Sequence, residues 1–189
     1  MKDIKYGKIV DFIHFLIKGS YEGIEDIVAV DCTCGNGNDT VFLCDLAGDR
    51  GKVYAFDIQE IAIKNTKGLL QEKGLNNCTL IKDSHENVLK YADGEIDIAI
   101  FNLGYLPKSD KSVKTNTKST IAAIANILQR LSNRGRVYIA TYILQDEGQE
   151  AREILDYIKN LSNKEYNSIA INLVNKNNSP PGIYIVEKI

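Results

Sequence analysis

Four clusters of residues in this 189-residue chain have types and spacings that could do chemistry. The first runs from Asp31 to Thr40 (DCTCGNGNDT), an acid at the end of an apolar run followed by a turn carrying Gly35 and Gly37. The second is Asp57, which ends the next apolar run. The third is Asp83-Ser84-His85, and the fourth is Asn102-Leu103-Gly104-Tyr105-Leu106-Pro107. Glycines suit a turn where a ligand must approach the backbone closely. Asn38 or Asp39 is placed to cap a following helix, whose amide groups would then face the ligand.

The charges narrow the ligand. A dinucleotide would place a pyrophosphate on the glycine turn, where Asp31 would repel it. S-adenosylmethionine has no phosphate. Its ammonium and sulfonium are favoured by Asp31 and Asp39, and an acid at position 57 can accept both hydroxyls of a ribose. The loop residues Thr33, Cys34, Gly35, Asn36, Gly37, Asn38 and Thr40, with Ile58 and Gln59 beside Asp57, complete the candidate cofactor set. Ser84 and His85 are candidates for the adenine, although Ser84 with Asn87 or Asp83 with Glu86 would equally suit a helix cap. A G-x-G by itself is weak evidence. The ordered set of strand, acid, glycine turn, helix, strand and acid is much stronger.

Methyl transfer is an in-line displacement at carbon, so catalysis is chiefly positioning. Asn102 is a candidate for both cofactor and substrate, because its side-chain oxygen, with a carbonyl such as that of Leu103, can accept hydrogen bonds from an amine. Tyr105 offers a ring face on which a base can stack. The segment looks like the N-P-P-Y motif of amino-group methyltransferases, with Leu-Gly in place of Pro-Pro. Asn, Gly and Pro would also suit an ordinary strand-ending turn.

These residues need a scaffold that brings them to one edge. Short apolar runs at Ile27–Asp31, Lys52–Asp57, Cys78–Lys82, Ile96–Phe101 and Arg136–Tyr142 suit strands buried on both faces. Helical spacing lies between them, at Thr40–Leu46, Glu60–Lys73, Thr120–Leu131 and Glu147–Leu161, with Ile61, Ile63, Leu69 and Leu70 expected on one side of the second. Alternation of strand and helix implies right-handed crossovers and a parallel sheet. Ser168–Val174 and Ile183–Glu187 have no helix between them and are expected to pair antiparallel. The expected fold is therefore α/β, Rossmann-like, with a seven-stranded, mostly parallel sheet, an antiparallel last strand and helices on both faces. One domain over 1–189 is expected: an N-terminal helix within 1–20 (Ile4–Lys18), a cofactor half over 27–110 and a substrate-side half over 111–189.

Composition limits the function. An apolar fraction of 44% and a charged fraction of 25% are those of an ordinary globular chain. No apolar run of membrane-spanning length occurs, and the first residues do not read as a signal peptide, so a cytoplasmic protein without membrane partners is expected. Cys32, Cys34, Cys44 and Cys78 lack the second ligand pair of a zinc site and read as reduced, mostly buried thiols, with no metal. The net charge of −2 does not advertise nucleic-acid binding, but Lys108, Lys111, Lys114 and Lys118 face a single acid, Asp110, within one short stretch. Alone, that stretch reads as a solvated loop.

The patterns D-x-T-x-G-N-G-x-D-T at 31–40, F-D-I-Q at 56–59 and N-L-G-Y-L-P at 102–107, with Asp110-Lys111, resemble a known family. It comprises small class I S-adenosylmethionine-dependent methyltransferases labelled rRNA methylases. Some are assigned as tRNA methyltransferases that complete 5-methylaminomethyl-2-thiouridine at the wobble position. The resemblance spans nearly the whole chain, including His14 and the stretch before the last strand with Pro180-Pro181. It implies methylation of the aminomethyl nitrogen, tRNA (its anticodon stem-loop) as partner, and a one-domain enzyme that can form a homodimer. His14, Gly104, Tyr105, Asp110, Lys111, Lys114 and Thr115 become candidate substrate contacts, with Asn102, Leu103 and Tyr105 catalytic. Lys108-Ser109 stand where relatives usually carry Gly-Gly, and residues 142–149 lack their glycine- and histidine-rich segment. An rRNA or small-molecule methyltransferase, a nucleotide-dependent oxidoreductase and a non-catalytic RNA-binding module are the competing readings.

Overall fold

A computed structural model describes residues 8–104, 116–142, 148–173 and 181–189. Seven strands form one sheet in the order β3-β2-β1-β4-β5-β7-β6. In chain order the elements are α1 (Ile9–Tyr21), β1 (Val28–Asp31), α2 (Asn38–Ala47), β2 (Lys52–Phe56), α3 (Glu60–Lys73) and β3 (Cys78–Ile81). A short 3₁₀ turn (His85–Lys90), β4 (Ile96–Leu103), α4 (Thr117–Arg130), β5 (Leu131–Thr141), α5 (Gln149–Lys159), β6 (Tyr166–Asn172) and β7 (Gly182–Lys188) follow. The pairs β1·β2, β1·β4, β2·β3 and β4·β5 are parallel. β7 runs antiparallel to both β5 and β6, so the expected closing pair is present.

Side-chain alternation along the strands sends residues to two separate cores. Ala29, Val53, Ile98, Ile100, Tyr138 and Ala140 meet α1 and α2 on one face. Val30, Phe56, Ala99, Phe101, Val137 and Ile139 meet α4 and α5 on the other. Both faces of the central strands are thus covered, which is why those strands read as continuous apolar runs.

The order places β1 beside both β2 and β4. The chain winds one way from β1 through β3 and the other way through β4 and β5, and the crevice at such a reversal lies at the carboxyl ends of the strands. Asp31 ends β1 there, and Asn102 lies one residue from the end of β4.

Several boundaries differ from the sequence expectation. The first helix continues to Tyr21, whose hydroxyl donates to the carbonyls of Asp97 (2.9 Å) and Arg134 (3.0 Å), tying the helix end beneath β4 and β5. Leu131 begins β5 instead of ending α4, because it is fully buried and pairs with Ile96; the register then jumps to Ile98 opposite Arg136. On α3 the expected buried face is corrected. Ile61 is exposed, while Ala62, Thr66 and Leu70 are buried. Small residues are needed there because the helix passes close under the glycine turn.

The bulge at the start of β5 depends on Gly135. A Cβ there would lie 2.8 Å from the Leu131 side chain and 2.9 Å from the carbonyl oxygens of Ile96 and Ser132. Backbone cannot yield as a side-chain tip can, so Gly135→Ala should destabilise the fold by ~1–3 kcal/mol. Urea unfolding would register this as a lower midpoint with an unchanged slope; an unchanged midpoint would show that the bulge relaxes freely.

Candidate active site

The turn between β1 and α2 is built around a buried acid. Asp31 is fully buried; one carboxylate oxygen accepts from the Thr33 N–H (3.0 Å) and the other from the Thr40 hydroxyl (2.6 Å). Burial, and then the charge of Asp39, push its pKa up to about 7, against those two hydrogen bonds. The reason is that low-dielectric surroundings penalise the charged form. Thr40 is itself fully buried, so its hydroxyl serves Asp31. The Cys34 side chain points away into a small cluster with Ala55 and Ala62, while its N–H donates to the Phe56 carbonyl.

The expected cap of α2 is corrected. Its N-cap is Gly37 in the left-handed region (φ 85°), and neither Asn38 nor Asp39 caps it through a side chain. Glycine is required twice over, since a Cβ at Gly37 would also stand 3.0 Å from the Thr66 Cα. The Thr66 hydroxyl donates to the Gly35 carbonyl (3.2 Å), and exposed Asn36 meets Asn65 on α3 (3.1 Å). Asp57 closes the other side. Its carboxylate accepts from the Gly35 N–H (3.1 Å) and the Gln59 N–H (2.9 Å), which joins the ends of β1 and β2. Ile58 beside it is 53% exposed, an apolar side chain left open at the rim.

Asp39 is not a cap because its carboxylate has other partners. One oxygen meets His14 Nε2 at 2.7 Å and the other accepts from Asn102 Nδ2 at 3.1 Å. The Asn102 N–H donates to the Thr33 hydroxyl (2.8 Å), and the Gly104 N–H turns back to the Asn102 carbonyl (2.9 Å). The amide of Asn102 is thereby oriented, and among the described residues nothing donates to its Oδ1. The His14 ring stacks on Phe42, with centroids 3.8 Å apart and planes 6° from parallel. Tyr142 lies close enough that burial, and then the Asp39 charge, raise its pKa. Leu103 sends its side chain into the core.

On the β3 side, the His85 Nδ1–H donates to the Cys32 carbonyl (2.9 Å), and the ring lies edge-on to Phe101. Burial lowers its pKa, so the ring is neutral, and its buried Nε2 has no partner among the described residues. Of the two expected caps there, neither forms as anticipated. Asp83 accepts from the Ser84 N–H (2.7 Å), the Asn87 side chain (3.0 Å) and the Tyr91 hydroxyl (2.8 Å). Ser84 has no capping side-chain bond.

The structure therefore brings Asp31, Thr33, Asp39, Asp57 and Asn102 together with His14, which no spacing rule would have joined to them. Phe42 and Thr66 were absent from the sequence-derived set. Phe42 stands three residues after Asp39 on α2, a helical spacing that could have marked it as a neighbour. Tyr105, Lys108, Asp110, Lys111, Lys114 and Thr115 lie outside the described residues, as do 143–147. All four cysteines are free thiols, three of them buried, as the sequence suggested. Among the described residues no group of three potential metal ligands converges, and no helix is long and apolar enough to cross a membrane.

The carboxylates of Asp31, Asp39 and Asp57 around one glycine turn would repel a pyrophosphate and suit a cation. A sulfonium nucleoside with a ribose meets that requirement, so the residues present fit S-adenosylmethionine.

Comparison with known proteins agrees. The chain is 38% identical to a crystal structure described as a "putative rRNA-methylase" from Clostridium thermocellum, covering 99% of this chain and 100% of that one at a TM-score of 0.92. A Streptococcus mutans methyltransferase solved in complex with SAH is 37% identical, over 96% and 98% of the two chains, with a TM-score of 0.87. The chloroplastic tRNA (mnm(5)s(2)U34)-methyltransferase of Arabidopsis thaliana is 33% identical over 67% of this chain and 50% of its own length. The chain spans about half the length of the curated relatives it matches. The family described as "Putative rRNA methylase" matches residues 53–187, and the chain belongs to that family of Rossmann-like, S-adenosylmethionine-dependent methyltransferases.

Proposed function

We propose that the chain transfers a methyl group from S-adenosylmethionine to the aminomethyl nitrogen of 5-aminomethyl-2-thiouridine at the wobble position of tRNA. The observation that carries this reading is Asn102, whose side-chain amide is held by Asp39 and whose backbone N–H is held by Thr33 beside the acidic pocket, with nothing among the described residues donating to Oδ1. The Arabidopsis relative named for this position supports the choice of nucleoside.

Asp57 receives the ribose hydroxyls, with lone pairs remaining after its two backbone bonds. Exposed Ile58 covers a face of the adenine, and half-buried Ser84 serves its polar edge. The amides of α2 behind Gly37 suit the carboxylate of the donor. Asp31 acts on the cation by its field, through the residues that cover it. The donor supplies an electrophilic methyl carbon, with the bonding pair passing to sulfur. Asn102 Oδ1 then aims the amine lone pair, and Tyr105 stacks the base. Lys108, Lys111 and Lys114 leave this corner in sequence and meet stem phosphates, with Thr115 adding a hydroxyl. Exposed Lys118 at the start of α4 extends the same basic run.

Incubation with labelled donor and tRNA carrying the free aminomethyl group should label that nucleoside. Asn102→Ala should lower turnover by about 10²-fold or more while leaving donor affinity within about twofold. Label on rRNA alone, or full activity of the variant, would contradict the assignment.

The raised pKa of Asp31 makes a second expectation. The folded state holds this proton more tightly than the unfolded chain, so its contribution to stability is present at acid pH. It is lost as pH rises from about 4 through about 7. A bound cation favours the carboxylate, so donor binding near pH 7 should release a proton. Calorimetry in buffers of differing ionisation enthalpy reads this directly. Release should vanish in Asp31→Asn, a variant that should also melt higher than the parent at pH 8; proton uptake on binding would contradict the mechanism.

A further inference from the structure

An alkylamine with a reference pKa of about 10 arrives protonated at neutral pH, and an ammonium has no lone pair to attack with. Something must take that proton. The argument here rests on the reading above, that the acceptor is an amine. Among the described residues, four ionisable groups gather near Asn102. Asp31 is fully buried beneath Thr33 and Thr40. Tyr142 has its pKa raised by burial, so it is a neutral phenol and a poor base. Asp39 already receives His14 and Asn102, one on each oxygen. His14 remains, with its side chain about one-fifth exposed (21%).

We propose that His14 is the catalytic base, taking the proton from the substrate ammonium on Nδ1. A carboxylate only accepts, so the 2.7 Å contact with Asp39 places a ring hydrogen on Nε2, and in the neutral ring the basic lone pair is then the one on Nδ1. The ring is held in plane against Phe42. The same carboxylate orients Asn102, so one acid sets both the group that removes the proton and the group that aims the lone pair. The step balances. One ammonium N–H bond breaks, Nδ1 gains the proton, and the freed nitrogen pair forms the new bond to the methyl carbon as the methyl–sulfur bond breaks and leaves its pair on sulfur. The product leaves as a secondary ammonium, and the imidazolium, facing Asp39, returns its proton to water. Among the described residues, the titratable groups facing the ring are Asp39 from α2, with Asp31 of β1 behind it, and the neutral phenol of Tyr142 after β5. On α1 itself, Asp11 and Lys18 pair outward with Lys8 and Glu22.

The chain has two histidines, which makes the test clean. Nitrogen-15 NMR of the imidazoles in the intact protein should show opposite tautomers: Nε2–H for His14 and Nδ1–H for His85, whose partner is a carbonyl. A His14 carrying its hydrogen on Nδ1 would overturn the proposal. His14→Gln can still bond Asp39 but cannot accept a proton. At pH 7 its turnover on tRNA bearing the free aminomethyl group should fall by about 10²-fold or more, with donor affinity within about twofold. The defect should shrink at least tenfold near pH 9.5, where the amine begins to shed its own proton. Turnover within about threefold of the parent, or a defect equal at both pH values, would overturn the base role. An active parent enzyme with an equally active His14→Gln removes this inference alone. A parent enzyme inactive on that tRNA removes the amine reading and this inference with it, whichever tautomer is observed.

Discussion

A carboxylate with no exposure to water sits at the end of β1, and the rest of the site is arranged to tolerate it. Asp31 keeps its place only because the Thr33 N–H and the Thr40 hydroxyl bond its two oxygens. Those bonds force the chain to bend at once after the strand, and the bend carries Gly35 and Gly37 into the crevice. The bend also sets where α2 begins, and therefore where Asp39 and Phe42 stand. A buried acid beside a second acid is costly in the free protein, and a cation bound there would relieve that cost.

Topology makes the rest of the pocket nearly unavoidable. Because β1 lies between β2 and β4, the ends of all three strands meet at the reversal of winding. Asp57 reaches the loop by accepting the Gly35 N–H, and Asn102 reaches it by donating to Thr33. The loop after β1 is therefore held by strands on both sides of it. His14 comes from a helix that precedes the sheet altogether, and it is recruited through Asp39 and the ring of Phe42.

Much of this was legible in the residues, and the reasons for the exceptions are physical. The strand runs were clear because both sheet faces are covered, and Glu60–Lys73 was clear because Gly74 stops the helix in the left-handed region. The acids at 31 and 57 were legible because each ends an apolar run before a turn. Asp39 was misread as a cap, since local sequence shows a polar residue at a helix start but not a histidine twenty-five positions away. Ile61 was misplaced because apolar spacing cannot show that α3 must present Ala62 and Thr66 to a close-passing glycine turn. Leu131 was assigned to the wrong element because a bulge sits where periodicity changes. Phe42 was overlooked because an aromatic on an amphipathic helix ordinarily belongs to the core.

The account stands on a pocket that prefers a sulfonium nucleoside to a phosphate-bearing one. Side-by-side calorimetric titration of the protein with S-adenosylmethionine and with NADH tests this most directly. Saturable one-to-one heat with the first and none with the second is the predicted result. Saturable binding of NADH, or no heat with S-adenosylmethionine, would contradict it.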